Sequence, residues 1–422
     1  MPGQNIFYAQ SGGVTSVINA SAAGVIETAC AHSDRIGRVY AGHDGILGAL
    51  TEDLIDTSAE SDATISALCH TPGGAFGSAR YKLRSLEENR TEYERLIEVF
   101  KAHDIGYFFY NGGGDSADTC EKVSHLADEM GYPIQALHIP KTMDNDLPAT
   151  DCSPGFGSAA KYTAVSIREA SLDLASMYPT STKVFILEVM GRTTGWTAAA
   201  GGLASASDNT GTDPNIVLFP EVVFDPERFL VQVDECVKKC GYCTIVASEG
   251  IRHTDGQFVS EAGARDVFGH TQLGGVASTL ARMIHARLGY KNHYAIADYL
   301  MRSARHIAST TDVEHAYAVG RAAVEYALAG RSGVMVTIER ESDDPYRWSL
   351  GSAPLADVAN GERAMPRDFI SSDGFHISAK ARAYLTPLIA GEAYPPYIDG
   401  LPQYAQLAKK RVARRLNTSF KL

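Results

Sequence analysis

The stretch YFFYNGGGDS, residues 107–116, decides the architecture, because four aromatic residues suited to a β-strand run directly into a turn lined by three glycines. A short run that is apolar throughout reads as a strand buried on both faces. Such strands belong to parallel sheets covered by crossover helices. Working outward, five further runs share this character, at 6–9, 136–139, 184–189, 216–219 and 244–247, with helical patterns between them. The chain is therefore expected to be a doubly wound α/β protein, with ligands bound beyond the C-terminal ends of its strands.

Polar, glycine-rich segments follow those strand ends. SGG (11–13) follows the first run and leads into an Ala-rich helical pattern over 14–31; NGGGDS (111–116) follows the second, and PKTMDNDL (140–147) the third. MGRTTGW (190–196) and SEG (248–250) follow later runs, while GGAFGSAR (73–80) and FGHTQLGG (268–275) are glycine-rich loops. NGGGDS offers a turn on which a phosphate can rest, and PKTMDNDL packs a lysine and two carboxylates into six residues. Together they suggest phosphoryl transfer to a hydroxyl, with Asp144 taking the proton, Asp115 and Asp146 facing a divalent metal, and Lys141 meeting a phosphate oxygen. The planar forks of Arg80, at the end of a glycine-rich loop, and Arg192, between the glycines of MGRTTGW, suit phosphate oxygens.

Composition narrows the classes of function. The 422 residues suffice for two or three domains, and 45% hydrophobic content is ordinary for an enzyme. A formal charge of -12 argues against a duplex-binding surface. The one basic run, 409–415, alternates with apolar residues and reads as the solvated face of a C-terminal helix. The first residues, MPGQNIFYAQSGG, do not read as a secretory signal, and no apolar segment reaches membrane-spanning length. Seven scattered cysteines fit reduced thiols in a cytoplasm. Cys236, Cys240 and Cys243 lack a fourth ligand at finger-like spacing and read as a helix end, a Gly241 turn and a strand start.

In order, SGG, GSAR, GGGDS, PKTMDNDL, GFGSAAKY, MGRTTGW, SEG and GHTQLGG resemble the phosphofructokinase family over residues 5–330. The resemblance implies transfer of a phosphoryl group to the 1-hydroxyl of fructose 6-phosphate with Mg2+ at the donor phosphates. It implies two Rossmann-like subdomains, 1–160 with about 273–332 for the donor and 161–272 for the sugar phosphate; beyond the resemblance, 333–422, with its strand-like VMVTIER, Pro-rich polar region and helical tail, reads as an added C-terminal layer carrying no recognisable chemistry. By the same likeness Asp144 is the base with Thr142 and Asp146 beside it. Gly12 and Arg80 contact the donor; Met190, Gly191, Arg192, Glu249 and His270 hold the sugar phosphate.

ATP-dependent relatives carry glycine where this chain has Asp115 and Lys141, so it resembles the pyrophosphate-dependent branch. A carboxylate where the α-phosphate of ATP would lie brings bulk and like charge, and Lys141 can fill that space and pair with compact pyrophosphate. The chain departs from the family at Gly114, where an aspartate commonly serves as metal ligand, so the metal falls to Asp115 with Asp144 or Asp146. It departs again at Leu273, where ATP-dependent members carry arginine; Tyr299 with Arg302, or Arg265, are the replacements. Lys183 stands where the family places a basic residue reaching a neighbouring subunit's site, which implies a homodimer. The rival readings are the ATP-driven reaction, a silent sugar-phosphate sensor on the same fold, and a lipid or NAD kinase sharing only the GGD turn.

Overall fold

All six apolar runs are strands in the computed structural model, which describes residues 3–81, 83, 87–205, 215–265, 271–359 and 361–421. In chain order the strands used below are β1 (Asn5–Ser11), β2 (Val39–Gly42), β3 (Leu54–Asp56), β4 (Ser78–Ala79), β5 (Ile105–Gly112), β6 (Gln135–Pro140), β7 (Val184–Val189) and β8 (Asn215–Leu218). They continue with β9 (Cys243–Ser248), β10 (Glu261–Arg265), β11 (Thr271–Leu273), β12 (Asn292–Ile296), β13 (Val334–Asp343) and β14 (Tyr346–Pro354).

One sheet has the order β14-β13-β6-β5-β1-β2-β3, with β4 beside the end of β1. Its centre is parallel, and its two outermost pairs, β13 with β14 and β2 with β3, are antiparallel. Phe7, Phe100, Phe108 and Tyr110 stack within its core, which is why the aromatic run of β5 is buried along nearly its whole length. The second sheet, β12-β7-β9-β8, is parallel throughout, and every residue of β9 is buried, as a strand covered on both faces requires.

The chain divides into two compact units: one runs to Gly155 and adds Arg305–Glu362 and the residues from Gly391 onward, and the other is Phe156–Ala304 with Arg363–Ala390. Residues 273–304 thus fall in the second unit. Their strand β12 pairs with β7, and Leu280 and Ile284 of helix Val276–Leu288 lie in one core with Val184 and Ile186. Nor is 333–422 a separate layer. β13 extends the first sheet, Val334 opposite Leu137 of β6, while Phe375 belongs to the second unit and accepts the Val217 amide at 2.8 Å.

Two local expectations are corrected. The helix expected from residue 14 begins at Ile18, so four residues separate the SGG turn from helix Ile18–Ala31. The helix expected at 409–415 is an extended strap. The Asp56 amide donates to Lys410 and the Val412 amide to Leu54, both at 2.9 Å, so the strap covers the β3 edge. Further on, the Arg415 and Leu416 amides donate to the Glu52 carboxylate, which also meets His103 Nε2 at 2.8 Å. Val412, Leu416 and Phe420 recur every four residues, which mimics a helix, yet each is a separate anchor on the first core. Around the three cysteines the expected order holds: helix Pro226–Cys240 ends on Gly241 at φ 88°, and β9 starts at Cys243.

Candidate active site

In the first unit β1, β5 and β6 are mutually parallel, so their C-terminal turns share one edge of the sheet. Lys141, just past β6, ties two of those turns together: its amide donates to Gly112 O at 3.0 Å and its Nζ to Gly13 O at 2.7 Å. The side chain is nearly all buried and its ammonium ends at the SGG turn. Gly12 holds φ at 71°, and a Cβ there would stand 3.6 Å from the ammonium. β4 brings in the arginine loop, because Gly12 N donates to Ala79 O at 2.9 Å and Ser78 Oγ to Gly12 O at 2.8 Å, leaving exposed Arg80 as the next residue. Ser116 Oγ donates to Ser11 Oγ at 2.7 Å, closing the contact between SGG and GGGDS. Asp115 is exposed in the first turn of helix Gly114–Glu129, where the helix dipole favours a carboxylate.

The loop after Lys141 is braced from several directions. Thr142 Oγ1 accepts from the Asp144 amide at 3.1 Å, and Asn145, at φ 55°, accepts the Ser153 amide at 3.0 Å. Farther along, Asp151 N donates to Ile338 O at 2.8 Å, Arg340 pairs with Asp151 at 3.0 Å, and Gly155 N donates to Asp312 Oδ1 at 2.8 Å. β13 therefore supports the loop carrying Asp144.

Desolvation is the largest influence on both loop carboxyls. It raises Asp144, opposed by the Lys141 charge and the Thr142 hydrogen bond, with Glu362 raising it further and Arg80 lowering it. Asp146 is pushed up to about 7, by burial first and then by the charges of Asp144 and Glu362. Beneath the turn, burial and the nearby Lys141 push the His138 imidazole down to about 3, so it is neutral at pH 7.

The second unit gathers another part of the expected set. Glu249 N donates to Val189 O at 3.0 Å, Gly191 N to Glu249 Oε1 at 3.4 Å, and Ser248 Oγ to Gly191 O at 2.5 Å, so the MGR and SEG turns interlock. Gly191 has φ 147° and a Cβ there would fall 2.7 Å from Thr194 O, so a side chain is barred by both conformation and space. Met190 and Arg192 beside it are half-buried. On the short helix Asp298–Ser303, the Arg302 guanidinium lies 3.8 Å over the exposed Tyr299 ring. Lys183 Nζ donates to Tyr178 O at 2.5 Å within its own chain. Leu273 is buried, whereas His270 and the Arg265 side chain lie outside the described residues.

Two carboxylates near these segments went unnoticed in the sequence. Glu188, on β7 just before MGR, accepts from Gly275 N at 3.0 Å and Ala277 N at 2.8 Å, fixing the end of the GHTQLGG segment. Its signal was a single acid in an otherwise apolar strand. Glu362, whose charge reaches Asp144 and Asp146, stands in a segment with no motif around it.

This architecture, with glycine turns and carboxylates at parallel strand ends, defines a phosphoryl-transfer α/β protein. The chain belongs to the phosphofructokinase family, whose profile matches residues 5–296. It is 66% identical, over the full length of both chains, to a pyrophosphate–fructose 6-phosphate 1-phosphotransferase of Methylococcus capsulatus, and 64% identical, again over both full lengths, to one of Halomonas elongata. The crystal structure of a pyrophosphate-dependent phosphofructokinase from Marinobacter aquaeolei superposes with a TM-score of 0.91 at 60% identity, covering 99% of this chain and all of the other.

Enzymes of this family generally use Mg2+. Asp115 at the glycine turn and Asp144 and Asp146 on the loop after Lys141 are carboxylates, the all-oxygen donors such a hard cation prefers. Among the described residues no three acidic, histidine or cysteine side chains form a ready-made cage; Mg2+ held by one or two carboxylates and several waters requires none. The residues present fit the group.

Proposed function

We infer that this protein transfers a phosphoryl group from pyrophosphate to the 1-hydroxyl of fructose 6-phosphate, giving fructose 1,6-bisphosphate and phosphate. The observation that carries this reading is Lys141, whose ammonium reaches the SGG turn beside Gly12, with Asp115 at the adjoining helix start. A cation on a short glycine turn pairs with a compact anion, and relatives sharing about two thirds of the sequence are named for that donor. In this reading Asp144 accepts the hydroxyl proton, and Gly12, Arg80, Asp115 and Lys141 hold the donor. Thr142, Met190, Gly191, Arg192, Glu249, His270, Tyr299 and Arg302 hold the sugar phosphate.

Asp115, Asp144 and Asp146 are the residues assigned to Mg2+, which when bound neutralises charge on the donor oxygens. The reaction is taken to be reversible and cytoplasmic; among the described residues no helix is long and apolar enough to cross a membrane. A homodimer is part of the proposal, with Lys183 serving a neighbour's site. The half-exposed Tyr294 and Ile296 on the edge strand β12 are consistent with a contact between subunits. The net charge of -12 is unfavourable to nucleic acid.

The test is a donor screen with fructose 6-phosphate at equal Mg2+. Turnover with pyrophosphate and little with ATP is expected; preference for ATP would overturn the assignment. Arg192→Ala and Arg302→Ala should each raise KM for fructose 6-phosphate by about tenfold or more and leave KM for pyrophosphate nearly unchanged. Equal effects on both constants would show that the two arginines do not grip the sugar phosphate.

A further inference from the structure

Glu362 is the last residue of the first unit before the chain passes into the second. The residue before it, Gly361, is held at the turn and loop described above. A Cβ built on Gly114 would meet the Gly361 carbonyl at 3.8 Å, and one built on Gly361 would meet Pro148 Cγ at 3.0 Å. Residue 361 is therefore seated between the glycine turn and the loop that follows Asp146. A short 3-10 turn, Leu355–Asp357, anchors the approach: Leu355 and Val358 are buried in the first core, and Gly361 N donates to Val358 O at 3.1 Å. The Glu362 carboxylate is exposed, and its charge is felt at Asp144 and Asp146.

Charge balance gives this placement a role. The Glu362 charge opposes ionisation of both Asp144 and Asp146, so the cluster carries repulsion among its own carboxyls. Its proposed substrates are anions too, and a divalent cation relieves the repulsion on both sides. Gly114 contributes no side chain to the turn, and a Cβ built there would meet nothing nearer than the Gly361 carbonyl at 3.8 Å.

We propose that Glu362 is a further residue of the donor site, its carboxylate helping to hold the hydrated Mg2+ at the place where Gly114 leaves the turn bare. The proposal rests on the phosphoryl-transfer reading above, and its test is independent of the donor screen. Mn2+ binding is titrated by electron paramagnetic resonance in wild type, Glu362→Gln, Glu362→Ala and the double variant Gly114→Asp with Glu362→Gln, without either substrate. Each single change should weaken Mn2+ binding at least tenfold, and the added aspartate should restore it to within about threefold of wild type. Wild-type affinity in the single variants, or no Mn2+ binding by wild type, overturns the role of Glu362. Failure of the donor screen with this pattern intact would instead fault the choice of donor.

Discussion

Asp144→Asn is expected to lower kcat by about 10²–10⁴ while KM for fructose 6-phosphate changes little. The substitution keeps the size of the side chain and leaves the Asp144 amide bonded to Thr142 Oγ1 at 3.1 Å, so the loop has no reason to move. What it removes is a proton acceptor. Burial makes that carboxylate more basic than usual, and Lys141 and Arg80 limit the rise, a balance suited to a group that takes a proton as the bond to phosphorus forms. Steady-state kinetics with both substrates varied is the check. A variant keeping more than half of normal kcat would remove Asp144 from the proposed mechanism.

Changing Asp115 and Lys141 together to glycine should move donor preference toward ATP, measured as the ratio of kcat/KM for the two donors. A like charge about 4 Å from a donor phosphate costs roughly 4 kcal/mol at an effective dielectric near 20, enough to suppress nucleotide use strongly. Lys141→Gly alone should impair pyrophosphate use by removing the ammonium that stands at Gly13, yet gain little ATP turnover while Asp115 remains. Asp115→Gly alone should relieve the repulsion but leave the lysine in the space. If the double variant leaves the ratio where wild type has it, these two side chains do not choose the donor.

What the sequence made legible was local. Each apolar run at a strand position became a strand, because a stretch such as VFILEV is buried by the sheet it helps to form. The turns after those strands could be placed because parallel strands put their C-terminal ends on one edge. The missing pieces depend on contacts distant in sequence. Nothing near Glu362 announces that Gly361 will seat against Gly114 and Pro148. The spacing of Val412, Leu416 and Phe420 reads as helical until the open edge of β3 offers hydrogen bonds to an extended chain. The boundary near residue 273 failed to appear for the same reason, since only the pairing of β12 with β7 assigns that segment.

The strap across β3 also sets an order of events during synthesis. The first unit is interrupted at Gly155 and resumes only at Arg305, and its covering strap comes later still. At roughly 5–20 residues per second, the ribosome takes roughly 10–30 s to produce the intervening segment. Throughout that interval β6 lacks β13 and β3 lacks the strap, so the nascent sheet presents two open edges. The second unit's opening segment, with β7, β9 and β12, is complete before the first can close. The earliest strands therefore wait with open edges until β13 and the strap are made.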